Sequence, residues 1–322
     1  MGRLMTAFRV GFLLVDGFAL MSYSSAVEPL RAANLLAGKT LYDIRHLPVT
    51  GGRAVSSSGA VINATEHVGE QVDYDLLLVV AGGDPGRFNN QNTFQWLRQL
   101  ARRDVWLGGV SGGPVILALA GIMENRRMTL HWEHIDALQE VSPLLLVEQA
   151  LFVIDRDRMT CAGGTAALDM MHAMIQSQHG SAFATEVSDW FLHTTIRPSS
   201  GPQRSGLAER YGTQNRSVLT AIDAMDAHVA DPLTLEQLAK LTGLGSRQLN
   251  RLFKEKLGVS TIAFYRQYRA NKARNLLQQS TLSVTEVALA TGFANASHLA
   301  RCYREYYGEV PTMVRSSPSL DH

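Results

Sequence analysis

The sequence predicts two domains of different class, a doubly wound α/β domain followed by an all-α domain with two helix-turn-helix units. Three observations predict it. The chain has 322 residues, longer than one hydrophobic core usually supports. Short apolar runs alternate with helical apolar spacing as far as about residue 196, and from about Ser217 the strand pattern gives way to helix after helix. The charge also changes sign: residues 1–196 carry 14 Lys/Arg against 19 Asp/Glu, and residues 197–322 carry 16 against 10. A front half of net −5 and a rear half of net +6 point to a polyanionic partner for the rear half alone.

Taken in order, residues 8–15, 76–81, 105–110 and 151–154 read as buried strands, and 25–36, 94–103, 114–120 and 165–178 carry helical spacing between them. Runs that are apolar on both faces and separated by helices imply a parallel sheet covered on both sides. The first run ends at Asp16, too soon for a membrane span, and no small-residue cleavage site follows, so it is read as the first strand and no membrane partner is expected. Residues 197–216, RPSSGPQRSGLAERYGTQNR, are rich in Pro, Gly, Ser and charge and read as a linker between domains at 8–196 and 217–316.

The rear domain contains an internal duplication. TLEQLAKLTGLGSRQLNRLFKEKLG (234–258) lies over SVTEVALATGFANASHLARCYREYYG (283–308), pairing Ala239 with Ala288, Gly243 with Gly292, Leu249 with Leu299, Arg251 with Arg301, Phe253 with Tyr303 and Gly258 with Gly308. In each copy a small residue permits a close helix crossing, a glycine ends the first helix in the left-handed conformation, and a polar residue, Ser246 or Asn295, caps the second. The second helices should bury Leu249, Leu252 and Phe253 in one copy and Leu299, Cys302 and Tyr303 in the other. That leaves Arg247, Asn250, Arg251 and Lys254, and Ser297, His298, Arg301 and Arg304, on the outer faces. Such a face suits a recognition helix, because Arg holds guanine O6/N7 and Asn holds adenine N6/N7 bidentately. Lys254, Arg304 and the helix N-termini suit phosphates. An ordinary helical bundle with solvated basic faces would share each arginine, but not the duplicated pattern. The intervening helix, 261–279, would hold the two units at a fixed separation.

Residues from about 217 to 315, ending in GFANASHLARCYREYYGEVPTMVR, resemble the AraC/XylS-type DNA-binding domain. The resemblance implies double-stranded DNA as partner, and by position it implies base contacts from Arg247, Asn250, Arg251, Ser297, His298 and Arg301.

In the front domain LGGVSGGPVILALA (107–120) sets Ser111 between a buried strand and a helix with glycines beside it, the form of a nucleophile elbow. A hydrolase would need a base within reach, and His131 and His134 of HWEH are candidates, although no Asp or Glu is spaced to complete a triad. The stretch, with AGG at 81–83, TLHW at 129–132 and CAGGTAALDMM at 161–171, resembles the ThiJ/PfpI branch of the class I glutamine-amidotransferase-like superfamily, and so implies a flavodoxin-like sheet. Joined to the helical domain, the whole resembles GlxA-type regulators of the AraC family. Catalytic relatives carry Cys at the elbow, often followed by His, and an acidic residue near the first helix; those positions are Ser111, Gly112 and Ser22 here. A serine without a positioned base keeps its proton, so the expectation is a ligand-sensing domain and not an enzyme, the alternative being an amidase or hydrolase with an accessory helical domain.

The crevice is expected to bind a carboxylate through N–H groups at Gly82, Gly83, Gly112 and Gly113, with Ser22, Ser111, His131 and Trp132 around it. The wording of DGFALMSYSSAVEPLRAAN, VVAGGDPGRF and HWEH resembles regulators tied to betaine, carnitine or related quaternary ammonium metabolites, whose cation an aromatic face at Trp132, Tyr23 or Phe88 would hold. His172 and His179 need no special role. The resemblance further implies a homodimer, joined through the front domain, that works with RNA polymerase in the sense of activation by an amine or amino-acid-like effector. Cys161 and Cys302 are too few and too far apart for a disulfide framework or a spaced zinc site, which suits a reducing cytoplasm and implies no metal; no cofactor motif is read.

Overall fold

The computed structural model describes residues 7–314, which divide into a front unit through Gln203 and a rear unit from Arg204. The residues read as the end of the rear domain, 315–316, lie outside the described ones. The front unit runs β1 (Phe8–Leu14), α1 (Leu20–Leu36), β2 (Tyr42–Pro48), a hairpin of β3 (Arg53–Val55) and β4 (Val61–Asn63), β5 (Leu76–Ala81), α2 (Gln91–Ala101), β6 (Trp106–Ser111), α3 (Gly113–Leu119), β7 (Arg127–Met128), α4 (Trp132–Val141), β8 (Leu146–Val147), β9 (Phe152–Asp155), β10 (Arg158–Cys161), α5 (Ala166–His179) and α6 (Ser181–Trp190). Its main sheet has the order β2-β1-β5-β6-β10-β9.

Each apolar strand divides its side chains between two cores. Leu76, Leu78 and Val80 enter the cluster built with α1 and α5, whereas Leu77, Val79 and Ala81 enter the cluster built with α2 and α3. A period-two chain buried on both faces has this consequence. The sheet is parallel from β2 through β10, but β9 runs antiparallel to β10 at the edge, which corrects the wholly parallel expectation. A two-residue turn between Asp155 and Arg158 permits only a hairpin, since a parallel return needs a long crossover. α1 begins at Leu20, earlier than its apolar spacing indicated.

The segment read as a linker is divided. Arg197 is bonded to Asp169, the Leu151 amide donates to the Ser199 carbonyl at 2.8 Å, and Gln203 Nε2 donates to the carbonyls of Leu130 and Ala150 at 3.1 and 2.8 Å. Buried carbonyls need such partners, and they tie residues 197–203 to the front unit. The other part begins the rear unit as α7 (Leu207–Tyr211), whose Leu207 and Tyr211 pack on that unit's core.

The rear unit continues with α8 (Arg216–Ala227), α9 (Leu235–Leu241), α10 (Ser246–Leu257), α11 (Thr261–Gln279), α12 (Val284–Ala290), α13 (Ala296–Tyr307) and the short α14 (Pro311–Val314). The duplication is reproduced in detail. α9 and α12 both start with a capping box, Thr234 with Gln237 and Ser283 with Glu286. Gly243 and Gly292 take φ of +71° and +70° in the two turns, and Gly258 and Gly308 end α10 and α13 in the left-handed conformation.

Candidate functional site

Two regions carry chemistry, one in each unit. In the rear unit α10 and α13 bury Leu249 and Phe253, and Leu299, Cys302 and Tyr303, against α11 and the preceding helices. Arg247, Arg251, Lys254, Ser297, Arg301 and Arg304 are exposed on the opposite faces. His298 is half-buried with its ring against Phe293, and burial, then neighbouring Arg301, holds its pKa below the usual imidazole value. Asn295 caps α13, its side-chain oxygen accepting from the His298 amide at 2.8 Å.

Two sequence readings are corrected here. Ser246 is the first residue of α10 and not its cap; the cap position is Gly245, with no side-chain bond. Asn250 is half-buried and its side-chain oxygen accepts from the Thr261 amide at 3.0 Å. It therefore closes the N-terminus of α11, where an unpaired helical amide would otherwise remain, instead of standing open as an adenine reader.

α11 is held to the end of α8 and to the second helix-turn-helix copy. The Tyr265 hydroxyl donates to the His228 carbonyl, the Tyr306 hydroxyl donates to the Ala263 carbonyl at 3.2 Å, and Arg269 Nη1 donates to the carbonyls of Gly292 and Thr291 at 2.6 and 3.4 Å. The Arg269 guanidinium also lies 4.7 Å from the Phe293 ring centre and 5.5 Å from that of Tyr265. Charge-assisted bonds to the turn of the second copy fix it to the connecting helix. Periodicity assigns only a helix to 261–279; these clamps depend on residues far apart in sequence.

In the front unit Ser111 ends β6 with φ +61°, a left-handed conformation strained for serine, at the tight turn into α3. The glycines around it serve packing. A Cβ on Gly113 would lie 1.9 Å from the Val79 carbonyl oxygen, one on Gly112 would lie 2.9 Å from Pro85, and one on Gly82 would lie 2.7 Å from the Gly17 carbonyl oxygen. The Gly112 amide already donates to the Ala81 carbonyl at 3.0 Å, so it is removed from the expected set of carboxylate donors. Gly83 is exposed, with φ +61°.

The Ser111 side chain is closed in, only 6 % of the residue being exposed. The loop at Gly163 lies on it, for a Cβ there would come within 2.6 Å of Ser111 Cβ and 2.8 Å of Ser22 Oγ. Ser22 accepts from the Gly164 amide at 2.7 Å, so the position of a would-be acid holds a loop in place. His131 meets the elbow through its backbone, its amide donating to the Ser111 carbonyl at 3.2 Å, while Nδ1 accepts from the Glu133 amide at the start of α4. Beneath the elbow the Cys161 thiol is fully buried; burial pushes its pKa up to about 12, against the pull of the Gly163 and Ser111 amides. It is the wrong cysteine for the chemistry of the elbow, because a protonated thiol is a poor nucleophile.

Of the aromatics considered, Trp132 is 38 % exposed, its ring centre 5.2 Å from that of His131. Tyr23 is core: it packs edge-on to Phe12 and Phe18 and its hydroxyl meets His46 Nε2 at 2.8 Å. Phe88 packs against Phe94 in the α2 core. His134 is buried on α4, and His172 Nδ1 meets Ser188 Oγ at 2.8 Å. One polar group was missed. Asp84, next to Gly83, pairs with Arg87 through one oxygen while the other is buried without a hydrogen-bond partner among the described residues; burial raises its pKa. Its adjacency to the AGG turn is the signal that could have found it. No cluster of three or more His, Cys, Asp or Glu suited to a metal occurs among the described residues, and no helix among them is long and apolar enough to cross a membrane.

A flavodoxin-like domain joined in sequence to paired helix-turn-helix units defines the class of DNA-binding transcriptional regulators. Residues 8–177 match the DJ-1/PfpI family and residues 238–317 match a helix-turn-helix domain of AraC type. The chain is 44 % identical over 308 residues to the HTH-type transcriptional regulator GlxA of Rhizobium meliloti, covering 95 % of each chain. It is 44 % identical over 305 residues to the HTH-type transcriptional regulator CdhR of Pseudomonas aeruginosa, covering 95 % of this chain and 90 % of that one. Among solved structures, that of an AraC family transcriptional regulator from Pseudomonas putida shares 28 % identity with a TM-score of 0.52, over 57 % of this chain and 99 % of that one. The chain belongs to the DJ-1/PfpI family, in the branch that carries an AraC-type helix-turn-helix domain.

Proposed function

We propose that the protein is an effector-responsive transcriptional activator that binds DNA as a cytoplasmic homodimer and acts on RNA polymerase. The single observation behind the DNA-reading part is that Arg251 and Arg301 occupy equivalent exposed positions on the duplicated helices α10 and α13. Arg251 and Arg301 hold guanine edges, Arg247, Ser297 and His298 contact neighbouring bases, and Lys254, Arg304 and the helix starts at Ser246 and Asn295 contact phosphates. The test uses duplexes selected from a random pool on the full-length protein. Arg251→Ala and Arg301→Ala should each lower the preference for selected over random duplex by about 1–3 kcal/mol, whereas Lys254→Ala weakens both alike. Equal losses on both duplexes for all three variants would refute the assignment.

The effector in this reading is a small zwitterionic amine or amino-acid-like metabolite, with betaine and carnitine as the leading candidates. Gly82, Gly83 and Gly113 form the wall of its crevice with Ser22, Ser111 and His131, and Trp132 meets the cation. Support comes from the part-exposed Trp132 ring, an aromatic surface of the kind that holds cations, and from the Asp84 oxygen that has no hydrogen-bond partner among the described residues. A thermal-shift screen of glycine betaine, carnitine and arginine tests it, with Trp132→Leu as control; a shift unaffected by Trp132→Leu would remove that residue from the site.

A further inference from the structure

Asp169 is an acidic side chain with no exposed surface, and neither the DNA-reading face nor the crevice uses it. It lies in the first turn of α5 and accepts four hydrogen bonds from the segment that leaves the front unit: from His193 Nε2 at 2.9 Å, and from Arg197 N, Nε and Nη2 at 2.9, 2.9 and 2.6 Å. A buried carboxylate is tolerated when it is paired and fully hydrogen-bonded, so the bonds hold the segment as firmly as they hold the charge. Arg197 Nη2 donates in addition to Thr165 Oγ1 at 2.9 Å, one residue before the helix. Just ahead of His193, Leu192 is 87 % exposed with φ +56°, a conformation that a leucine keeps only where its surroundings impose it.

The same turn of α5 touches the elbow on its other side. Gly163 and Gly164 lead directly into Thr165, Gly164 donates to Ser22, and Gly163 leaves no room for a Cβ against Ser111. The path from the elbow to the connector is therefore one glycine pair and one helical turn. Beyond Arg197 the chain is held again at Ser199 and Gln203, and only residues 204–206 remain before α7. Release of the Asp169 bonds together with those at Ser199 and Gln203 would lengthen that free stretch by roughly 3.3–3.6 Å for each residue freed.

We propose that Asp169 is a positioning residue that couples the crevice at Ser111 to the connector through Arg197 and His193, so that a change at the elbow loop sets how tightly residues 193–203 are held. That the crevice is where an effector acts rests on the function proposed above; the mechanical link between elbow and connector does not.

The test is amide hydrogen exchange by mass spectrometry on the full chain, with peptides from β5 as the internal measure of folding. Asp169→Asn and Arg197→Met should each raise exchange across residues 193–203 at least tenfold while β5 stays protected. Ser22→Ala, which removes the acceptor of the Gly164 amide, should raise exchange across the same residues at least threefold in the absence of any effector. If Asp169→Asn unfolds the unit, Arg197→Met decides, since its side chain is partly exposed and its removal leaves the core filled. Unchanged exchange at 193–203 in Arg197→Met would eliminate the latch. Released exchange there, with wild-type rates in Ser22→Ala, would eliminate the coupling. Glycine betaine added to the wild type separates the two readings: protection at 163–165 without any change at 193–203 overturns the coupling, and a lack of any response bears on the effector class alone, with Ser22→Ala still deciding the link.

Discussion

Gly243 and Gly292 occupy the same place in the two helix-turn-helix copies, with φ of +71° and +70°, and they differ in what surrounds them. A Cβ on Gly243 would meet nothing within 4 Å, whereas one on Gly292 would lie 2.5 Å from both Pro232 Cγ and the Val229 carbonyl oxygen. Alanine in the left-handed conformation costs roughly 1–2 kcal/mol, which is the whole expected loss for Gly243→Ala. Gly292→Ala adds overlap with a proline ring and a backbone carbonyl, neither of which can swing aside, and overpacking of this kind costs about 1–3 kcal/mol more. The expected losses are then about 1–2 and 2–5 kcal/mol. Thermal unfolding separates the units spectroscopically: Trp96, Trp106, Trp132 and Trp190 all lie in the front unit, so tryptophan fluorescence reports it, and far-UV dichroism adds the helical rear unit. With roughly 4–8 °C per kcal/mol for a domain of 60–100 residues, the variants should part by several degrees in the rear transition and leave the fluorescence midpoint unmoved. Equal losses, or a larger one for Gly243→Ala, would refute the claim that the second turn is packed where the first is open.

Arg269→Met keeps the aliphatic stem but removes the bonds to the Gly292 and Thr291 carbonyls; at about 1.5–3 kcal/mol per bond to a charged group, offset by relief of the buried charge, a net loss of about 2 kcal/mol is expected. Footprints on the selected duplex should then lose the half covered by α13 before the half covered by α10, and a uniform loss would contradict the clamp. Burial lowers the folded pKa of His46, so the unfolded chain binds that proton more tightly. Front-unit stability is accordingly full above about pH 6.5 and falls as pH drops below it; His46→Gln should flatten the fall in fluorescence-monitored midpoints between pH 7 and 5, and a midpoint that rises on acidification would reverse the assigned sign. Cys161 and Cys302 are both buried, so Ellman's reagent should find almost no thiol in the native chain and both in denaturant; rapid reaction of a native thiol would show the elbow floor to be open.

The residues themselves determined whatever depends on local pattern. Leu76–Ala81 is apolar throughout and could only be a strand buried on both faces. The repeated glycines, small crossing residues and apolar spacing of 234–258 and 283–308 were enough for two helix-turn-helix units with their arginines outward. The elbow, with Ser111 at its tip, was likewise legible, because a strand-glycine-helix junction is contiguous. The strands that escaped notice are those whose polar residues find partners elsewhere in the fold. β2 is a half-exposed edge whose Asp43 and Arg45 pair with each other, with Arg9 and Glu66 beside them, and β10 buries Arg158 beside Asp157 and the Ile122 carbonyl. Tertiary structure alone decided that Asn250 closes a helix, that Tyr23 belongs to the core, and that Arg197, in a stretch with the composition of a linker, is held by Asp169. A hydrogen bond between residues far apart in the chain leaves no periodicity behind, so the meaning of a polar side chain rests on what the fold carries to within about 3 Å of it.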